Sequence, residues 1–427
     1  MAYTGSVGTF IGSAAINLLE LLLRFLVFYA IAYLFSSNRK LVSFKLLLLG
    51  VFWQIVFAMI LLKIPAITFM FQKVNDGLQV ITSSTAKGVA FCFGGLASPP
   101  ASSGLGFILA FQGFPVLIVI SALSSLLIYW RILPTIIKIL SIFYRKAFCI
   151  GGTLGIAVSA NMFTGMSETP LVIKPYLSKL NHSELFTLMV CGTSGIASSV
   201  IALYSSIVGA IVPNALSHII SAILINIPAA LTLARIMVPP TEKAHLTEGD
   251  DIGLVTAKST LDAIYTGIMD GAKVIITIIA MIIGFISLVD ITNQILTLLP
   301  SVEGEALSMQ RMLGWLMSPV AMLIGIPWEE ARTAGSIIGA KIIMNEVIGF
   351  QELVSSAAIL SDSTKIIMIY AICGFANLGS VGIMIGIYGA LVPERRQEVI
   401  SLGMRSILAG AIANCLTATL VGVVLRM

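Results

Sequence analysis

Residues 161–171, Asn-Met-Phe-Thr-Gly-Met-Ser-Glu-Thr-Pro-Leu, are the stretch of sequence that decides the fold. The flanking residues are apolar, whereas Gly165 and Pro170 interrupt any continuous helix. Glu168 stands at this interruption, and an ionisable side chain inside a membrane segment indicates a functional site. Broken helices at membrane depth are tolerated where they line a polar cavity. The stretch therefore predicts a solute pathway through a membrane.

The composition of the whole chain supports a membrane location. The chain has 427 residues, of which 58% are hydrophobic and only 11% are charged. This balance excludes a soluble domain and predicts an all-α polytopic protein whose helices contact the lipid bilayer. The formal net charge of +5 fits cytoplasmic loops that are rich in lysine and arginine. It does not indicate a nucleic-acid partner.

Apolar segments along the chain predict about eight membrane spans of roughly 20 residues each. Residues 68–95 and 131–146 are too polar to cross a bilayer, and we expect them to form interfacial helices. Residues 238–258 are predicted to form a polar loop. The predicted spans cover approximately residues 14–35, 44–62, 107–129, 184–209, 214–237, 272–299, 364–391 and 401–424.

A second interrupted segment, residues 310–354, shares the composition of the first. It contains several glycines and prolines and carries Glu346 at membrane depth. Two spans follow each interrupted segment, so residues 151–237 and 310–424 repeat one order of elements. Corresponding interrupted segments usually indicate inverted repeats with a binding site at the membrane midplane. We therefore predict two re-entrant helical hairpins, at about 151–180 and 310–354, in an inverted repeat.

The distribution of basic residues predicts the orientation in the membrane. Lysine and arginine cluster in five loops, whereas the N-terminal tail carries none. With both termini outside, every cluster falls on the cytoplasmic side, as the positive-inside rule requires. The clusters lie at residues 39–45, 131–146, 174–179, 235–258 and 395–396.

Glu168 and Glu346 are the leading candidates for binding a solute. In a dry site, a carboxylate accepts hydrogen bonds from substrate hydroxyl or N–H groups, and such bonds are about twice as strong as neutral ones. Either carboxylate could instead cap a half-helix, pair with a nearby lysine or take up a proton, because burial favours the neutral form. Asn377 and Ser380 share one helical face, where they could bind a solute or join helices.

The residue types do not indicate catalysis. The sequence has no Gly-Lys-Ser/Thr phosphate loop, no His-Glu-x-x-His motif and no Ser, His and Asp set. The five cysteines and three histidines show no metal-ligand spacing, so we expect no cofactor. The residues alone therefore predict a secondary transporter of a small polar solute and not an enzyme. A receptor or channel without transport activity is the alternative.

At its interrupted segments the chain resembles the concentrative nucleoside transporter family. Residues 161–171 are similar to the family's first hairpin, and Ala334-Gly-Ser336 with Asn345-Glu346 is similar to its second. Residues 373–380, Cys-Gly-Phe-Ala-Asn-Leu-Gly-Ser, resemble a Gly-Phe-Ala-Asn-x-x-Ser segment of the family. The resemblance implies a homotrimer that takes up nucleosides by alternating access. Each protomer would have a scaffold part and a transport part.

The resemblance also implies how the chain divides between these parts. Residues 1–130 would be mostly scaffold, and residues 131–237 would form a first transport repeat with a contribution to the scaffold. Residues 238–309 would hold the polar loop and a scaffold span, and residues 310–427 would form the second transport repeat. We expect a multi-pass protein of the inner or plasma membrane.

The family's substrate residues correspond to two groups in this sequence. The resemblance implies that Met166, Ser167 and Glu168 face the nucleobase, although the family usually has glutamine at the position of Met166. Either selectivity broadens, or a purine-like face packs on the sulfur. The ribose hydroxyls are expected to contact Glu346, Asn377 and Ser380, with Phe375 nearby.

A cation site is implied in the same way. The family uses backbone carbonyls near Asn161 and Thr164, the hydroxyl of Ser167, and a Ser–Ile pair that is Gly195-Ile196 here. This chain therefore has one hydroxyl fewer. Because Asn161 matches the sodium-coupled members, sodium is favoured over a proton as the coupling cation. The alternatives are a proton-coupled nucleoside transporter and a symporter for nucleobases or modified nucleosides.

Overall fold

The fold is helical. The computed structural model describes residues 4–97, 108–241, 247, 257–302 and 304–426, with residues 4–18 and 68 described by their backbone alone. Within these ranges the extended backbone pairs only in an isolated bridge between Val302 and Glu305. The all-α architecture expected from the composition is confirmed.

Three long helices form the N-terminal part of the chain. Glu20 and Arg24 lie one turn apart on the first helix and form the ion pair that this spacing allows. Pro65 occupies the start of the third helix, where its missing N–H costs no hydrogen bond. The helices are α1 (Thr4–Leu34), α2 (Phe44–Lys63) and α3 (Pro65–Phe93).

Two helices, α4 (Val116–Tyr129) and α5 (Ile132–Phe148), precede the first interrupted segment. That segment forms α6 (Gly152–Val172), in which Gly165 breaks the helical backbone with φ 69° and ψ −175°. The break lies where the sequence predicts one. The four-residue helix α7 (Lys174–Leu177) follows.

The span predicted over 184–209 is interrupted in the structure. A capping box of Asn181 and Glu184 starts α8 (His182–Ser194), and the helix stops before Gly195. The chain resumes as α9 (Ser198–Val208) and then α10 (Ala215–Met237). The predicted span is present as residues 182–208, but the sequence does not predict its break, because this apolar stretch contains no proline and the break depends on partners that are distant in sequence.

The second interrupted segment contains two breaks. The helices α12 (Met309–Leu323) and α13 (Trp328–Ile343) meet at a bend of 116°, and Asn345 then caps α14 (Glu346–Ser355). Of the last two spans, the first is broken into α15 (Asp362–Ile372) and α16 (Leu378–Leu391), which residues 373–377 separate. The second is the continuous helix α17 (Arg396–Arg426). The order "broken segment, broken helix, long helix" thus occurs twice: α6, α8–α9 and α10, then α13–α14, α15–α16 and α17.

One long helix, α11 (Thr260–Leu296), stands apart from this core. Only 6% of its most apolar window is buried, compared with 83% for α10 and 89% for α17. It packs on α4 through Gly267 and Gly271, where a Cβ atom would lie 2.6 to 2.7 Å from the α4 backbone. Most of the predicted polar loop before α11 lies outside the described residues.

The count of membrane helices agrees with a multi-pass protein. Six segments of the described chain are long and apolar enough to cross a bilayer, and the bent α12–α13 pair would add a seventh. Two other predicted spans correspond to α1 and to the α15–α16 pair, whose halves of 11 and 14 residues are too short individually. The six segments are residues 44–63, 109–129, 182–208, 215–237, 260–296 and 393–426.

Candidate functional site

The centre of the molecule is the place where two broken helices meet. The Phe375 N–H, in the break between α15 and α16, donates to the Gly195 carbonyl, in the break between α8 and α9, over 3.0 Å. Gly374 permits this approach, because a Cβ atom there would lie 2.7 Å from the Ser194 carbonyl oxygen. The free ends of four helices therefore converge in one buried region, away from lipid.

Glu346 lies at this centre. It is the first residue of α14 and only 6% exposed, and its carboxylate is stabilised by the positive end of that helix. The hydroxyl of Tyr204 donates to Glu346 Oε1 over 2.6 Å, and Asn377 Nδ2 donates to Oε2 over 3.0 Å. The cap of α14 is Asn345, which accepts from the Ile348 N–H over 3.0 Å. Asn345, and not Glu346, is thus the cap of α14, and among the described residues Glu346 forms no salt bridge with a lysine, although the charge of Lys341 acts on it from a longer distance.

Asn377 and Ser380 extend the hydrogen bonds of Glu346. Asn377 caps α16, and its Oδ1 accepts from the Ser380 N–H over 3.0 Å. The Ser380 hydroxyl lies 2.5 Å from the Phe375 carbonyl oxygen and 3.1 Å from Asn377 Oδ1. Three of the residues predicted from their types and spacing, Glu346, Asn377 and Ser380, therefore form one continuous polar cluster beside Phe375.

Tyr204 is a member of this cluster that the sequence does not reveal. It lies in the apolar helix α9, is fully buried, and packs its ring on Phe350 with centroids 4.8 Å apart. Phe350 is one turn beyond Glu346 on α14, so Tyr204 contacts that helix twice. The only signal in the sequence is a lone phenol inside an apolar span. Such a group usually finds a polar partner when it is buried.

The structure does not bring the first-hairpin residues into the Glu346 cluster. Ser167 and Glu168, close after the Gly165 break, are exposed, and their side chains form no hydrogen bond within the described residues. Met166 points the other way, is 5% exposed, and packs against Gly192 of α8. It borders a narrow gap that is also lined by Asn161, Thr169, Leu188, Met189, Met384 and Tyr388.

The residues of the implied cation site are partly assembled. Asn161 Nδ2 donates to the Cys191 carbonyl over 2.7 Å, and a Cβ atom on Gly195 would lie 3.1 Å from the same nitrogen. The amide of Asn161 therefore occupies the space into which a serine at position 195 would extend. Thr164 Oγ1 lies 3.0 Å from both the Ala160 carbonyl oxygen and Thr169 Oγ1. Ile196 is fully buried beside the break, whereas Ser167 is turned away.

Three family descriptions match the chain. "Na+ dependent nucleoside transporter N-terminus" covers residues 24–96, and "Na+ dependent nucleoside transporter C-terminus" covers residues 218–422. Between them, "Nucleoside recognition" covers residues 110–211. Together the three matches include both interrupted segments.

Individual relatives agree with these matches. The chain is 32% identical to the nucleoside permease NupC of Helicobacter pylori over 93% of this chain and 95% of that protein. It is 28% identical to the sodium/nucleoside cotransporter 1 of Rattus norvegicus over 93% of this chain and 62% of that protein. The structure of CNTnw in an inward-facing substrate-bound state is similar with a TM-score of 0.87 at 32% identity, covering 95% of this chain and 98% of that chain.

Proposed function

The chain belongs to the family of Na+-dependent nucleoside transporters, and we propose that it takes up nucleosides by cation-coupled symport across the cytoplasmic membrane. The observation that carries this proposal is the Glu346 carboxylate, held by Tyr204 and Asn377 at the meeting point of two broken helices. Membership of a transporter family also agrees with the expectation that the protein is not an enzyme.

The Glu346 cluster suits the hydroxyl groups of a ribose. Tyr204 and Asn377 both donate to Glu346, so the carboxylate is held as a hydrogen-bond acceptor. Each carboxylate oxygen has more than one acceptor direction, and a substrate hydroxyl can donate to those that remain. Asn377 and Ser380 add an amide and a hydroxyl beside it. An analogue without these hydroxyls would leave buried polar groups unpaired, so the site would reject it.

The base would be recognised from the first hairpin. The side chains of Ser167 and Glu168 form no hydrogen bond within the described residues, so their oxygen atoms are available to a ligand. Met166 is apolar and packed inward, where the family usually has an amide. We therefore expect base recognition to rely on Ser167 and Glu168, with Phe375 offering an aromatic face.

Sodium remains the favoured coupling cation. Asn161 and the Gly195-Ile196 pair lie at the C-terminal end of α8, where the helix dipole places partial negative charge, and Thr164 follows Asn161 by three residues on α6. Ser167 would join them only after a local movement. Proton coupling through Glu168 or Glu346 is the alternative. We also propose that a transport part moves against a scaffold that includes α11, so that the site has alternating access to the two sides of the membrane. The protein would form a homotrimer, and both termini of each protomer would lie outside.

The test is uptake of labelled uridine and adenosine into proteoliposomes under a sodium gradient or a proton gradient, imposed separately. We expect sodium-driven uptake. Uptake driven by protons alone would transfer the coupling role to a carboxylate. Stronger inhibition of uptake by free bases than by ribosides would indicate a nucleobase carrier. Met166 would then be the residue that distinguishes this site from that of the family. Failure to carry any of these solutes would contradict the proposed function.

Replacing Tyr204 by phenylalanine should weaken uptake while leaving the ring packing on Phe350 intact. The Tyr204→Phe variant loses the hydrogen bond to Glu346, and a hydrogen bond to a charged group is worth about 1.5–3 kcal/mol. We expect the KM for uridine to rise about tenfold or more. We also expect discrimination between uridine and deoxyuridine to fall, because Glu346 is no longer held in place.

Tyr370→Phe is the matched control for this change. Tyr370 is equally buried, but its hydroxyl contacts His218 Nδ1 over 2.9 Å and does not contact Glu346. A similar loss of uridine affinity in both variants would show that the Tyr204 hydroxyl has no special role in the site.

A further inference from the structure

Two asparagines form a symmetrical clamp across the broken helices. Asn226 Nδ2 on α10 donates to the carbonyls of Ser194 and Cys373 over 2.9 and 3.2 Å. Asn414 Nδ2 on α17 donates to the same two carbonyls over 2.9 and 3.1 Å. Ser194 is the last residue of α8 and Cys373 directly follows the last residue of α15, so each asparagine contacts one helix end from its own half of the chain and one from the other.

The two asparagines differ in what their amide oxygens contact. Asn414 Oδ1 accepts from the ammonium group of Lys341 over 3.1 Å. Asn226 Oδ1 is fully buried and has no hydrogen-bond partner in the described part of the chain. Its orientation is fixed, because a reversed amide would turn its oxygen towards two carbonyl oxygens. One half of the clamp therefore holds a cationic group, and the equivalent oxygen of the other half is unpaired.

Lys341 is an unusual cation for a membrane protein. It is only 1% exposed, and the Glu346 carboxylate attracts it without forming a salt bridge among the described residues. Its charge is placed near the C-terminal ends of helices, whose carbonyls carry partial negative charge. The carbonyls at the same ends accept from Asn226 Nδ2, which places Asn226 Oδ1 on a residue bound to those ends. Because an unpaired buried amide oxygen is destabilising, we look for a ligand that it could bind.

We propose that Asn226 Oδ1 binds the coupling cation at the C-terminal end of α8, and that the ammonium group of Lys341 takes the equivalent place in the second half. Amide carbonyls are suitable ligands for hard cations. Asn161 contacts the Cys191 carbonyl in the same last turn of α8 whose Ser194 carbonyl contacts Asn226. Only the first half would then need a free cation, because the second half already holds the ammonium group of Lys341. This inference rests on the proposed sodium coupling.

The test uses the purified protein in detergent without nucleoside, so it does not depend on transport. The Tm is followed against NaCl, with choline chloride keeping the ionic strength constant. A cation that binds the folded state raises the Tm by mass action. In Asn226→Ala we expect the half-saturating sodium concentration to rise about tenfold or more. Asn414→Ala loses donors to the same two carbonyls, and it should lower the Tm while leaving the half-saturating concentration unchanged.

The outcomes separate this inference from the function on which it rests. If the Tm of the wild-type protein does not change with NaCl concentration, both sodium coupling and the role of Asn226 are overturned. A sodium response that is equal in wild type and Asn226→Ala would overturn only the role of Asn226. If Asn226→Ala does not fold, Lys341→Met tests the same idea, because it leaves Asn414 Oδ1 unpaired as well. The Tm of Lys341→Met should then rise more steeply with NaCl concentration than the Tm of the wild type. An unchanged dependence would contradict the proposal.

Discussion

Glu346→Gln should reduce kcat/KM for uridine uptake about 100-fold, because it removes the carboxylate charge that accepts hydrogen bonds from Tyr204 and Asn377. A glutamine has one acceptor oxygen, whereas Tyr204 and Asn377 both donate to the carboxylate. The new NH2 group would either face the NH2 of Asn377, a donor against a donor, or take the place of the oxygen that accepts from the Tyr204 hydroxyl. The substrate hydroxyls would also lose their charge-assisted acceptor. Uptake of labelled uridine into proteoliposomes, compared at equal amounts of folded protein, measures the effect.

Glu352→Gln is the control for this prediction. Glu352 lies on the same helix α14, in its last turn, and it has no contact with the cluster of Tyr204 and Asn377. The same chemical change there should leave uridine uptake within about twofold, as expected of a partly exposed position outside the site. Equal losses in the two variants, or normal uptake by Glu346→Gln, would remove Glu346 from the substrate site.

The sequence predicts the polar cluster well because its signals are local. Asn377 and Ser380 follow a glycine within an apolar span, and their spacing alone places them on one turn. Glu346 is equally visible, since a carboxylate beside a helix start in an apolar segment has few structural explanations. The structure joins Asn377 and Ser380 through hydrogen bonds that this short spacing makes possible, whereas Glu346 is joined to them from 31 residues away through Asn377 Nδ2.

Other features depend on contacts between distant parts of the chain, and the sequence does not show them. Tyr204 is one aromatic residue in an apolar helix until Glu346 supplies its partner. The break at Gly195 is stabilised by the Phe375 N–H, which belongs to another broken helix. Glu168, in contrast, is easily recognised in the sequence, but its exposure is not. Its charge identifies the hairpin, yet its side chain is exposed, because the turn at Gly165 sets which side chains face inward.

Gly165 carries the largest expected effect on folding. Its φ of 69° and ψ of −175° lie in a region that is essentially restricted to glycine, where another residue costs about 1–3 kcal/mol. A Cβ atom at this position would also lie 2.7 Å from the Cβ of Ala197, in the break between α8 and α9. Overpacking of this kind typically costs a further 1–3 kcal/mol or so. We therefore expect Gly165→Ala to lower the Tm by several degrees and to abolish most uptake.

Two further variants separate the causes of that loss. Gly382→Ala is the control, because Gly382 lies inside α16 with no atom within 4 Å of an added Cβ, so the Tm should stay or rise slightly. Adding Ala197→Gly to Gly165→Ala removes the closest contact, but it leaves the backbone strain and a 3.0 Å approach to the Cα of residue 197. The double variant should therefore recover part of the Tm. Full recovery would mean that the hairpin accepts an alanine backbone there, and no recovery would mean that the hairpin tip does not pack on the α8–α9 break. Because that break also holds Gly195 and the α8 end near Asn161, recovery of uptake should follow recovery of the Tm.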